Sequence, residues 1–400
     1  MPPSRRSTGP QTRSAARALQ AADAQGNRGD ESGMPHKKAR VTSQPPQQTI
    51  AYFATGGTIS AKGTEHTYQA GELKGADCLV GIKIPPNTHV EVEDVASIDS
   101  KDLSAANLHD LFNAVATRLQ DKEKPATAAV ITHGSDSLPT TAFYLQSRLP
   151  RDLLAEKKIV LTASMKPSNV ANPDGPGNLG DALTLASSDK GRGVLATLAH
   201  QIFAPPGFDK KHTTSVHAFE TVNAKRVGTV RNGEVSIENE PPLPPRTFNP
   251  GPTGKLPVVT AIFSEPGVDP QFTVNTIRSA FKNGAEGIVY AGTGNGTINE
   301  VVATELKKQA AEGRLVIRST KVGNGEVIRN GAFQDDDHRT ASSGTLGPDQ
   351  ARLLAQLAIA DEKHAHAGAP VDMDRIRQVF DDYQSPGTRP QDNAGAANKA

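Results

Sequence analysis

The chain has 400 residues, 44 Lys and Arg against 43 Asp and Glu, a formal net charge of +1 and a single cysteine. Such a length buries a substantial core and excludes a small toxin or a lone binding module. The balance lacks the basic field that nucleic-acid or anionic-membrane partners require, Cys78 alone excludes an internal disulfide or a thiolate metal cluster, and no apolar run approaches the ~20 residues of a membrane span.

Residues 1–48 hold eight Lys or Arg and three acids, a balance of +5 that leaves the rest of the chain at −4. The segment has no aromatic residue and is rich in Ala, Ser, Gln, Arg and Pro, which predicts a disordered basic leader. No apolar stretch follows its basic start, so a Sec-type signal peptide does not fit. The run His36–Arg40 reads as a solvated cluster or a short basic address. The expected location is the cytoplasm, or the exterior by a route that exports unfolded N-termini, as bacterial effectors use.

Short β-rich runs then alternate with helical patterns. Strands are predicted at Thr49–Ala54, Ala128–Thr132, Ile159–Ala163 and Val194–Leu198, each followed by a polar or Gly-bearing turn. The Pro-rich stretch at 241–256 reads as a linker. Beyond it, strands are predicted at Pro257–Phe263, Gly287–Ala291 and Leu315–Ser319, with helices at Gln271–Lys282, Ile298–Ala311, Pro348–Ala360 and Asp372–Tyr383. The expected class is α/β: a larger N-terminal domain (49–240) with a parallel or mixed sheet and flanking helices, a smaller C-terminal α/β domain (257–383), and a fraying tail (384–400). Ligands of such sheets bind at the carboxyl ends of the strands.

Two clusters sit at those ends. Thr55-Gly56-Gly57-Thr58 follows the first strand and presents the Thr58 hydroxyl, although the same glycines suit a plain turn or a phosphate cradle, and the Walker Lys-Ser/Thr is absent. His133-Gly134-Ser135-Asp136-Ser137 ends the Ala128–Thr132 strand and places a hydroxyl beside a carboxylate at a helix start. Ser135 and Asp136 suit helix caps equally well.

Taken together, these clusters resemble the bacterial-type L-asparaginase and glutaminase-asparaginase family. Further segments match in the family's order: Ala163-Ser164-Met165-Lys166-Pro167, Asp174-Gly175-Pro176, Lys210-Lys211-His212-Thr213-Thr214, Ala291–Gly296, Ile317-Arg318-Ser319 and Ser343–Leu346 with Gln350-Ala351-Arg352. The resemblance spans about residues 49–383 and implies an asparaginase-like fold. It implies hydrolysis of the side-chain amide of asparagine, glutamine or a related compound, with Thr58 as nucleophile and Tyr68 on a closing loop. Ser135, Asp136 and a lysine, Lys210 or Lys211, form the family's second triad; counting back from Thr213-Thr214 favours Lys210. By the same resemblance Ser100 holds the substrate's α-carboxylate and Asp136 its ammonium, while Lys101, Ser135 and Ser164 fall at substrate-binding positions. No metal or cofactor is implied, and the assembly expected is a homotetramer, a dimer of dimers.

The chain departs from the family at four places. Position 135 is Ser instead of Thr. Lys101 stands where Gln or Glu helps bind the ammonium; a cation 4 Å from it would cost about 4 kcal/mol at an effective dielectric of 20. Ala332 stands where a neighbouring subunit lends a glutamate, with Asp335, Asp336 and Asp337 nearby as candidate replacements. The segment Pro205–Asp209 lacks the family's Gly-Arg-Asp. Recognition shifted toward a ligand with less positive charge at its α-carbon is therefore expected. The competing readings are a non-catalytic asparaginase-fold effector acting through its tail and an amidotransferase subunit, for which no extra partner-binding domain is visible.

Overall fold

The computed structural model of the protein describes residues 48–64 and 66–384. The predicted basic leader, apart from Gln48, and the predicted tail beyond Gln384 lie outside these residues.

Among the described residues the strands form one eight-stranded mixed sheet, one four-stranded parallel sheet and two two-stranded ribbons. The large sheet runs, edge to edge, Glu234–Ile237, Gly228–Arg231, Gln201–Phe203, Gly193–Leu198, Lys158–Thr162, Ala128–Thr132, Gln48–Gly56, Thr88–Ile98. Its central strands are covered on both faces, which is why Ala128–Thr132 and Lys158–Thr162 read as continuous apolar runs and are buried at every position. The last five strands in this order, from Gly193–Leu198 to Thr88–Ile98, pair in parallel, whereas Gln201–Phe203, Gly228–Arg231 and Glu234–Ile237 return antiparallel and make the sheet mixed. Helices Ala105–Gln120, Leu138–Arg148 and Gly175–Ser187 cover its faces.

The second sheet contains Val259–Phe263, Gly287–Gly292, Leu315–Thr320 and Ala341–Ser342 in that order. Helices Pro270–Lys282 and Glu300–Ala311 pack together and enclose a small core around Ile277, Ile288 and Leu306. Helix Pro348–Ala365 lies against both domains, and its buried leucines join the main core.

The predicted linker is an extended strap fastened to the body. Phe248 is buried, its N–H donates to Ser147 O at 2.9 Å, and Pro242 O and Pro244 O accept from Gln146 and Arg151. Prolines supply carbonyl acceptors without N–H groups that would need partners, so this path over the surface leaves few backbone groups unsatisfied.

Strand register brings the site together. Ile50–Ala54 pairs with Ala128–Thr132, and Thr132 in turn lies beside Thr162. On the other side a register shift between Ala54 and Gly56 brings Gly56 opposite Ile98. Four neighbouring strands therefore end together and deliver the turns carrying Thr58, Ser100, Ser135 and Ser164 to one edge of the sheet.

Candidate active site

Glycine allows these turns to touch. Gly57 has φ 81°, and a Cβ built there would lie 2.4 Å from Gly134 Cα and 2.8 Å from the His133 carbonyl carbon. Both features favour Gly: a positive φ is strained for other residues, and the approach leaves no space for a side chain. The turns bearing Thr58 and Ser135 thus pack backbone to backbone.

Thr58 opens a short 3-10 turn, is buried, and donates from its Oγ1 to the Tyr68 hydroxyl at 3.2 Å. Tyr68 is 41% exposed and stands on the ribbon of Lys62–Gly63 with Tyr68–Gln69. Asn169 pins that ribbon: its Oδ1 accepts from Gly63 N at 2.9 Å, and its Nδ2 donates to Gly63 O at 3.1 Å.

Ser135 is also buried. The Lys210 ammonium donates to Ser135 Oγ at 2.8 Å and to Asp136 Oδ1 at 2.6 Å. Lys210 ends the strand Phe208–Lys210, in an antiparallel hairpin with Phe219–Thr221. Successive side chains of a strand point to opposite faces. Lys211 accordingly turns the other way and pairs with Asp209 at 2.7 Å. His133, fully enclosed, approaches Gly134 O through Nδ1 and Thr141 Oγ1 through Nε2, and burial holds its pKa below the usual imidazole value.

Ser100 is buried at the start of a 3-10 turn, and its carbonyl accepts from Ser137 Oγ at 3.1 Å. Lys101 does not share this enclosure. Its ammonium bonds Asp102 and lies 3.6 Å from Asp99, on a side chain 65% exposed. Ser164 is buried, and its Oγ donates to Lys166 O at 2.7 Å within its own loop. The Asp174 carboxylate, which the sequence marks only as part of a segment, accepts from Met165 N and Lys166 N and shapes that loop.

Two of the aspartates expected to replace the missing glutamate are already engaged. Asp335 is wholly buried and holds Arg318 through Nε–Oδ1 at 3.0 Å and Nη2–Oδ2 at 2.5 Å. Asp336 pairs with Arg329 and Asn330. Asp337 and Ala332 are exposed.

Comparison with known proteins gives the family. The N-terminal asparaginase family model matches residues 49–243, and the glutaminase/asparaginase C-terminal domain model matches 264–368. The probable periplasmic L-asparaginase of Haemophilus influenzae is 31% identical over 343 residues, 84% of this chain and 93% of that protein. The chain belongs to the asparaginase family. Another member, L-asparaginase 2 of Escherichia coli, is 29% identical over 84% of this chain and 93% of its own length. The crystal structure of a probable cytoplasmic L-asparaginase from Campylobacter jejuni shares the asparaginase fold, with a TM-score of 0.73 and 26% identity over 84% of this chain and all of that one. Among the described residues, no helix is long and apolar enough to cross a membrane.

Proposed function

We propose that the protein is an asparaginase-type amidohydrolase, releasing ammonia from the side-chain amide of asparagine or a close relative through a threonine acyl-enzyme. The observation that carries this is the Lys210 ammonium bridging Ser135 and Asp136, next to a turn where Thr58 meets Tyr68. Thr58 Oγ1 gives up its proton as it attacks the amide carbon, a proton passes to the amide nitrogen as the tetrahedral adduct expels ammonia, and water then cleaves the ester, its hydroxyl joining the acid and its other hydrogen restoring the Thr58 hydroxyl. Lys210 serves as a base only after losing its own proton.

In this reading Ser100 holds the substrate's α-carboxylate and Asp136 its ammonium. Lys101 and Ala332 leave that ammonium with fewer acceptors than the family pattern gives, so amides lacking it are turned over comparatively well. The protein assembles as a dimer of dimers in which a neighbour's C-terminal domain closes the site. A monomer by light scattering with full activity would refute that assembly.

The deciding experiment is ammonia release from asparagine, glutamine and succinamic acid by wild type and Thr58→Ala. Wild type is expected to act on at least one, with Thr58→Ala lower by about three orders of magnitude. No release from any of the three would leave the non-catalytic effector reading in place.

A further inference from the structure

The hairpin that carries Lys210 stands apart from both large sheets, since Phe208–Lys210 and Phe219–Thr221 pair with each other in a ribbon of their own. Its root is apolar: Phe208 stacks on Phe203 at 5.4 Å and leans on Phe219 at 6.2 Å. That packing anchors one end of a three-residue strand, and the amine projects from the other. Two hydrogen bonds of 2.8 and 2.6 Å must nevertheless hold the amine at Ser135 and Asp136.

The C-terminal domain grips this hairpin on both flanks. Ahead of it, Pro206 O accepts from Gln350 Nε2 at 2.7 Å, in the first turn of helix Pro348–Ala365. Behind it stands Asn223, in the left-handed region at φ 51°. Its Nδ2 donates to Gly325 O at 3.0 Å and to Thr345 O at 2.9 Å, while Gly325 N donates to its Oδ1 at 2.7 Å. The receiving loop is itself tied down, because Val327 N donates to Gly344 O at 2.9 Å and Asn295 Nδ2 to Glu326 O at 3.2 Å. Between the grip and the triad lies a cavity of about 250 Å³ lined by Asp136, Asp209, Lys211, Asn223 and Gln350. Polar clasps therefore span this gap, beside the apolar core that Phe208 and Phe219 share with Leu346.

We propose that Asn223 is a positioning residue for the amidohydrolase reaction, clamping the Lys210 hairpin to the C-terminal domain and so setting the contact between Lys210 and Ser135. It acts through the lysine, its own amide being fully engaged with the Gly325 and Thr345 backbone. Asparagine suits the role because it tolerates a positive φ and offers two donors and an acceptor. The proposal rests on the reading of Ser135, Lys210 and Asp136 as a working triad.

The test compares Asn223→Asp and Asn223→Gly with wild type. The first keeps the shape and the acceptor for Gly325 N, but sets a carboxylate oxygen against two carbonyls; the second keeps the backbone freedom and removes all three bonds. Thermal melts check that each variant is folded, and Asn223→Asp carries the test if the glycine variant is not. One readout needs no turnover: acetylation of lysines by acetic anhydride, followed by mass spectrometry, with the distant Lys190, bonded to Val235 O, as reference. Lys210 labelling is expected to rise by about tenfold or more in both variants, the size expected from losing two neutral hydrogen bonds in Asn223→Asp and three in Asn223→Gly.

The second readout is steady-state hydrolysis of asparagine. A fall in kcat of about tenfold to a hundredfold is expected, as for a displacement near 1 Å, with KM little changed. Unchanged Lys210 labelling overturns the proposal whatever the turnover, and raised labelling with unchanged kcat overturns it too. A wild type that releases no ammonia sinks the functional reading separately, and labelling still decides whether Asn223 places Lys210.

Discussion

Gly134 lies against Ser100 so closely that a Cβ built on the glycine would sit 2.4 Å from both Cβ and Oγ of the serine. The serine Cβ is fixed to backbone and cannot swing aside. Gly134→Ala is therefore expected to push Ser100 out of place and raise KM for asparagine by tenfold or more, the effect of about 1.4 kcal/mol of lost binding. Steady-state kinetics check this, and an unchanged KM would show that Ser100 does not hold the substrate.

Lys101 is expected to matter less than its charge suggests. Its ammonium is exposed and paired with Asp102, so water and salt screen it. Lys101→Gln should change KM for asparagine by less than about threefold at physiological ionic strength. A tenfold fall in KM would mean instead that the cation reaches the bound ammonium.

The pair of Arg318 and Asp335 is enclosed on all sides, and the guanidinium also donates to Asn295 O and Ile328 O. Asp335→Asn leaves a buried cation without its counter-charge, a change that costs about 3–5 kcal/mol. Urea unfolding should show a midpoint lowered accordingly. A shift below about 1 kcal/mol would place this pair among interactions that contribute little.

Cys78 provides a pH prediction. Burial pushes its thiol up from 9.0 to about 11, with Asp77 and Asp94 adding to the rise and a hydrogen bond with Tyr52 opposing it. At pH 8 the native thiolate population is then on the order of a hundredfold below that of an ordinary cysteine. Labelling by iodoacetamide should be slow at pH 8 and climb toward pH 11. The stability linked to this raised acid is fully present below pH 9 and is lost as pH rises through about 11. Rapid labelling of folded protein at pH 8 would contradict the partial burial of this side chain.

Much of the fold is legible in the sequence because its central strands are apolar runs ending in turn residues. Ala128–Thr132 is bounded identically by pattern and by structure. Thr88–Ile98 is not legible in the same way: as an edge strand it has no continuous apolar run, and its alternation over Val90-Glu91-Val92-Glu93, whose acids keep an exposed edge soluble, is broken at Asp94. Helix Asp372–Tyr383 is expected as one element and instead passes from an α-helix at Met373–Val379 into a 3-10 turn at Phe380–Tyr383.

The site divides similarly. Motif order brings Thr58, Ser135 and Asp136 forward, while the choice between adjacent lysines depends on which face of a short hairpin each occupies. The fates of Asp335 and Asn223 depend on contacts no local pattern encodes. Asn223 reaches partners 102 and 122 residues away, and in sequence it is only a turn residue after a short strand.

Finally, the two bonds between Gly63 and Asn169 are neutral and lie at the surface, so together they hold the Tyr68 ribbon by about 1–3 kcal/mol. A latch of that strength leaves the ribbon released for roughly 0.6–16% of the time. On the proposed function, a single surface side chain, Asn169, then sets how often the Tyr68 ribbon is free, and loosening it would change the speed of substrate capture without any change to the groups that perform the reaction.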